Sequence, residues 1–195
     1  MINHSKRKSM LALVKTKHGH QTRNGTLNTP YWEHCYGVAK LLDEFIDKHC
    51  PNLPDETKDI MYLAGLGHDL YEDTDVERQA IIKSYGPEVD GLIDAVTNDK
   101  SDFDRADYLH KLENASDQAM LIKFADFINN TSSVVENQDY FEKDWIREFF
   151  WPIAQETRSI LESHQFDNQW KDLSIELQAQ TNAVFGKLQT VLGIT

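Results

Sequence analysis

Residues 55–76 read DETKDIMYLAGLGHDLYEDTDV. Ile60, Leu63, Ala64 and Gly67 recur at offsets of three and four, the spacing that gathers side chains on one face of an α-helix. A helix over 55–71 is predicted. Asp73-Thr74-Asp75 then makes a turn and offers a cap for a helix over 76–85. His68 and Asp69 are helical neighbours about 100° apart. Glu72 stands four residues after His68 and Asp73 four after Asp69, so an imidazole and three carboxylates converge on one small patch. That much negative charge is costly in a half-buried place unless a cation compensates it. A divalent ion is the obvious compensation.

Working outward, residues 6–20 carry Met10, Leu11 and Val14 at helical spacing. Residues 21–30, QTRNGTLNTP, form a loop by composition. Pro30 can open a helix over roughly 31–48, with Tyr31, His34, Val38, Leu41, Leu42 and Phe45 on one side. Asn52-Leu53-Pro54 is a break. Downstream, Tyr85-Gly86-Pro87 ends one helix and opens another over 87–97, and 98–101 is a polar loop. Residues 102–114 and 116–133 make a helical pair, and 138–163 and 167–192 are two longer closing helices. The expected fold is all-α, a single domain over 1–195 built as a bundle of about eight to ten helices.

The bulk properties fit that expectation. A chain of 195 residues can bury a sizeable core. The net charge of -12 repels phosphate backbones, which argues against nucleic acid as a partner but not against a small anionic substrate. Cys35 and Cys50 form no CxxC pair and read as reduced, structural thiols. No apolar stretch is long enough to span a membrane, and the basic N-terminus lacks a signal peptide's apolar region. The expected location is cytoplasmic. The sequence is silent on oligomeric state.

Two more residues extend the patch. His34 sits within the apolar face of Tyr31, Val38 and Leu41. Asp126 sits in LIKFADFINN, among Leu121, Ile122, Phe124, Ala125 and Ile128. Alone, His34 would be a satisfied core histidine, and Asp126 would cap a helix or pair with Lys123. Glu72 and Asp73 alone would be a solvated helix end. Together, His34, His68, Asp69 and Asp126 are a mixed nitrogen and oxygen set from three helices, suited to Mn²⁺, Fe²⁺, Co²⁺ or Zn²⁺. Without thiolates, a sealed structural zinc site is disfavoured.

The order H…HD…D in an all-helical chain resembles the HD-domain metal-dependent phosphohydrolases. The segment HGHQTRNGTLNTPYWEHCYGVAKLL (18–42) is similar to the opening of the hydrolase domain of the RelA/SpoT enzymes. AGLGHDLYEDTDV (64–76) resembles their HDxxEDT motif, and LIKFADFINNTSSV (121–134) their KxADxxxN segment. The resemblance covers roughly residues 15–135. It implies a stand-alone small alarmone hydrolase of the Mesh1-like class, which removes the 3′-pyrophosphate of guanosine tetra- and pentaphosphate, usually with Mn²⁺. Carried over residue by residue, it makes His34, His68, Asp69 and Asp126 the metal ligands. Glu72 and Asp73 become the pair that positions and activates water. Arg23, Asn130 and Lys123 become substrate contacts.

The chain departs from the pattern at Phe127, where a basic or polar residue is common, and in AVTNDK (95–100). It departs again in DWIREFFWP (144–152), which offers Arg147 and Phe149 where relatives line the base pocket with an arginine and a tyrosine. These departures keep a second reading open, an HD phosphohydrolase acting on another nucleotide: a nucleoside monophosphate, a deoxynucleotide or a dinucleotide cofactor. A third, a non-enzymatic binding module, is opposed by the intact Glu72 and Asp73.

Overall fold

The structure is a computed structural model that describes residues 1–25, 28–98 and 105–194. The described chain is all-α, as expected. Its elements are α1 (His4–His18), α2 (Trp32–His49), α3 (Asp55–Gly67), α4 (Leu70–Asp73), α5 (Arg78–Tyr85), α6 (Pro87–Val96), α7 (Arg105–Glu113), α8 (Asp117–Glu136), α9 (Lys143–Trp145), α10 (Trp151–Ser163) and α11 (Lys171–Leu192). Nine of these have eight residues or more, within the expected range. An isolated bridge between Thr22 and Pro30 ties the ends of the loop over 21–30. No described helix is long and apolar enough to cross a membrane.

Helix α8 runs through the middle. From Ala119 to Ile128 it is buried almost all the way round, as a helix covered on every side must be. Helices α2, α3, α6, α10 and α11 pack on it. The α2–α3 pair is unusually close: a Cβ on Gly65 would lie 2.8 Å from Leu42 Cδ1 and 3.4 Å from the Ala39 backbone. Leu42, Leu63, Leu66 and Leu70 are at most 2% exposed along this seam. Each such burial stabilises by roughly 1.5–3 kcal/mol. The seam is therefore firm, and it sets His34 on α2 opposite His68.

Several local expectations need correction. The helix expected over 55–71 breaks at His68–Asp69: Asp69 adopts φ -98°, ψ 0°, a sparsely populated backbone region where active-site residues often sit. The Asp73-Thr74-Asp75 turn does not cap the next helix, whose N-cap is Glu77 with no side-chain cap bond. Thr74 instead folds its hydroxyl onto the Leu70 carbonyl and accepts the Val76 amide. The helix expected over 138–163 starts with a 3₁₀ turn (Gln138–Tyr140), and a π-helical turn (Ile146–Phe150) joins α9 to α10. Of the polar loop placed at 98–101, residues 99–101 lie outside the described residues, as does the start of the helix expected over 102–114.

Candidate metal centre and active site

Three elements deliver the central cluster. His34 comes from the first turn of α2, His68 and Asp69 from the break between α3 and α4, and Asp126 from the buried stretch of α8. All but Asp69 are at most 5% exposed. The two Nε2 atoms lie 3.2 Å apart. Asp69 Oδ2 is 3.4 Å from the first and 3.0 Å from the second. Asp126 Oδ1 is 3.3 Å and 3.6 Å from the same two atoms. Two ligands held about 2.0–2.2 Å from one ion, at tetrahedral or octahedral angles, stand about 3–3.5 Å from each other. His34, His68 and Asp69 form the tight triplet, with all ligand atoms within 4.8 Å. Asp126 flanks it on the α8 side.

The other ring nitrogens show which way the imidazoles face. His68 Nδ1 is 2.9 Å from the Gly65 carbonyl, which can only accept, so Nδ1 carries the proton. His34 Nδ1 is 2.8 Å from Asn129 Oδ1, an oxygen that also receives Arg23 Nη1. Both Nε2 atoms therefore point into the cluster, the arrangement a metal ligand needs. Asn129 is held by close packing: a Cβ on Gly37 would sit 2.5 Å from its Nδ2. Tyr31 donates its hydroxyl to Asp69 Oδ2 at 2.8 Å.

The charges are strongly coupled. Burial opposes ionisation of Asp69, yet the His68 charge and hydrogen bonds from both imidazoles hold its carboxyl well below the usual range. Burial likewise opposes ionisation of Asp126, and Lys123 with the two imidazoles outweighs it. Burial weakens the proton affinity of His68, but Asp69 and Asp126 reverse this and push its pKa up to about 10. A cluster that grips a proton this firmly offers the same lone pairs to a metal cation.

The remaining expected residues fall around this centre. Lys123 is not a solvated helix charge: its side chain is 18% exposed and its Nζ donates to Asp126 Oδ2 at 2.6 Å. Arg23 Nη2 donates to Asn130 Oδ1 at 3.0 Å, and Asn130 Nδ2 donates to Asp126 Oδ1 at 2.6 Å. The loop is thereby wired to the cluster. Glu72 Oε2 accepts the Asn98 amide at 3.1 Å. Asp73 follows one helical turn after Asp69, its amide bonded to the Asp69 carbonyl. A cavity of about 840 Å³ opens beside Glu72 and Lys123. A smaller one of about 180 Å³ is lined by Arg23, Asn130, Phe141, Trp145 and Phe150.

Phe149 is exposed and lines the larger cavity. Phe127, where the chain departs from the family pattern, is buried in the core and lines neither cavity. Arg147 turns away, donating to the Leu192 carbonyl on α11. Asn129 and Tyr31 were missed as supports of the ligands. The Asn129-Asn130 doublet was the only sequence signal for the former.

No family model matches the chain, but curated relatives do. The guanosine-3′,5′-bis(diphosphate) 3′-pyrophosphohydrolase MESH1 of Drosophila melanogaster is 36% identical over 124 residues, 62% of this chain and 65% of that protein. The MESH1 proteins of Danio rerio and Xenopus tropicalis are 31% and 30% identical; the matches span 73% and 89% of those relatives and 65% and 82% of this chain. A solved structure of a metazoan ortholog of SpoT that hydrolyzes ppGpp superposes with a TM-score of 0.73. It covers 96% of this chain and 97% of its own at 24% identity, a likeness of fold. The chain thus belongs to the family of the MESH1 guanosine-3′,5′-bis(diphosphate) 3′-pyrophosphohydrolases, the family its HDxxEDT and KxADxxxN segments resemble.

Proposed function

We propose that this chain, acting as one catalytic domain, transfers the 3′-pyrophosphoryl group of guanosine tetra- or pentaphosphate to water, giving GDP or GTP and pyrophosphate. The observation that carries the reading is the convergence of His34, His68, Asp69 and Asp126 at ligand spacing, with Arg23 and Asn130 wired to the same aspartate. The donor set fits one divalent ion, Mn²⁺, Fe²⁺, Co²⁺ or Zn²⁺, and the resemblance to the RelA/SpoT hydrolases points to Mn²⁺ among them. Such an ion supplies Lewis acidity, polarising a phosphoryl oxygen and making water a better nucleophile.

The chain's own residues do the rest. Glu72 and Asp73, on the turn after His68-Asp69, orient the attacking water and take its proton. The water oxygen bonds to the proximal phosphorus, the bond to the ribose 3′-oxygen breaks, and that oxygen leaves with a proton. Lys123 stays ionised because Asp126 and Tyr108 outweigh its burial, and it places a fixed positive charge beside the reacting phosphate. Arg23 and Asn130 offer a guanidinium and an amide to the nucleotide. A small nucleotide, rather than a polymer, suits a chain of net charge -12.

A second reading, hydrolysis of a different nucleotide, is favoured by the ring cluster of Phe141, Trp145 and Phe150 in the smaller cavity. Stacking rings accept any base. Product analysis by ion-exchange chromatography separates the readings. With Mn²⁺, guanosine tetraphosphate should yield GDP and pyrophosphate, and chelation should stop the reaction. Release of orthophosphate from a nucleoside monophosphate, with guanosine tetraphosphate untouched, would establish the second reading instead.

A further inference from the structure

The larger cavity is lined by Glu72 and by Lys123, which is bonded to Asp126 of the cluster, and also by Arg105 at the start of α7 and Glu156 on α10. Its charges are mismatched to the ligand it adjoins. Three carboxylates, Glu72, Glu148 and Glu156, face two cations, Lys123 and Arg105. Lys123 is committed to Asp126. A pyrophosphoryl group reacting at the cluster would carry several negative charges, and this is the cavity onto which Glu72 and Lys123 open. Among the described lining residues, Arg105 is the cation left to meet that group.

The way Arg105 is held makes it available. Its Nε donates to Glu156 Oε2 at 2.6 Å, and its Nη2 contacts the same oxygen. Only Nε hydrogen-bonds to Glu156; Nη2 lies against the same oxygen but has no hydrogen-bond partner among the described residues, so half of the fork is unsatisfied. A phosphate presents two oxygens to the same fork and makes the stronger bidentate contact. The Arg105 and Glu156 side chains are 30% and 47% exposed, and an ion pair that open to water holds weakly.

Resting on the hydrolase reading above, we propose that Arg105 is a second cation of the pyrophosphoryl subsite, binding the terminal phosphate, and that Glu156 is its resting partner, displaced as that phosphate arrives. Glu156 thereby competes with substrate and with product for one guanidinium.

The test is calorimetric titration of inorganic pyrophosphate, and separately of orthophosphate, into the full chain with Mn²⁺. Arg105→Ala should weaken pyrophosphate binding by about tenfold or more, the loss of a charge-assisted contact. Orthophosphate, with no second phosphate to place on Arg105 when it is held at the cluster, should bind within about twofold of the parent. Arg105→Lys should recover only part of the loss, lacking the fork. Glu156→Gln should tighten pyrophosphate binding, and that gain should vanish in an Arg105→Ala background. Equal pyrophosphate binding by parent and Arg105→Ala, or weaker binding by Glu156→Gln, would overturn the proposal. Because the probe is pyrophosphate itself, this outcome is independent of which nucleotide the chain cleaves; that is read from the chromatographic products.

Discussion

Between α1, α2 and α3, Asp43 and Asp59 share the guanidinium of Arg7. Its Nε reaches Asp59 at 2.6 Å and its Nη1 reaches both Asp43 oxygens at 2.9 and 3.0 Å. Between α2, α4 and α8, Asp69 and Asp126 stand around His34 and His68, with Lys123 on Asp126. Each cluster sets two carboxylates against one fixed cation, and each is formally -1 with the imidazoles neutral. Net charge therefore does not distinguish them. What differs is what faces the carboxylates. A guanidinium has donors and no lone pair, so the Arg7 cluster is a structural pin, braced by the Tyr62 ring 4.1 Å away, with Nη2 left without a hydrogen-bond partner among the described residues. Two imidazole Nε2 atoms aimed at the same point leave the other cluster ready for a metal.

The largest expected difference lies in turnover. Glu72→Gln or Asp73→Asn should lower the hydrolysis rate by about 10²–10⁴-fold, the usual worth of general-base assistance, while Mn²⁺ affinity stays close to the parent's. Near-parental turnover in both variants would remove the water-activating role. The Arg7 cluster should respond the other way. Arg7→Ala strands two carboxylates and should cost about 3 kcal/mol of stability, lowering the melting temperature by about 6–12 °C for a chain this size, with Mn²⁺ affinity unchanged. A metal defect there would break the contrast.

Smaller effects sharpen it. Asn129→Ala removes the acceptor that turns His34 Nε2 inward and should weaken Mn²⁺ binding by about 10–100-fold, with little loss of stability. Outside both clusters, Asp90 is held below the usual range by Arg78, despite burial, with help from the Tyr71 hydroxyl. Its folded-state pKa lies below the unfolded value of about 3.9. Its stabilisation is therefore present above about pH 4 and is lost as pH falls through the folded value. Asp90→Asn should flatten that acid limb in urea titrations by less than about 1 kcal/mol, because Arg78 is half exposed. Metal affinity at neutral pH should not move.

Much of this was legible because the decisive residues repeat at helical offsets. His68, Asp69, Glu72 and Asp73 fall within six residues, and Asp126 betrays itself as a carboxylate in an apolar run. The periodicity also fixed most helix limits to within a few residues. What escaped depends on contacts between elements. Asn129 looks like its neighbour Asn130 until Gly37 on α2 clears space for it. Lys123 looks solvated until α7 brings Tyr108 alongside, with its Nζ 5.8 Å from the ring centroid. The π-helical turn at Ile146–Phe150, which separates Phe149 from Phe150 into different cavities, has no periodic signature in so aromatic a stretch. Phe127 departs from the family pattern without touching the site, because its neighbour Asp126 faces the cluster while 127 lies about 100° further round α8 and enters the core.

The claim that the four-residue cluster is a metal centre is tested most directly by Mn²⁺ titration calorimetry on the parent, His68→Ala and Asp126→Ala, with circular dichroism to verify that each variant is folded. The account predicts about one ion per chain in the parent and no measurable binding in either folded variant. Parental stoichiometry and affinity in both variants would contradict it.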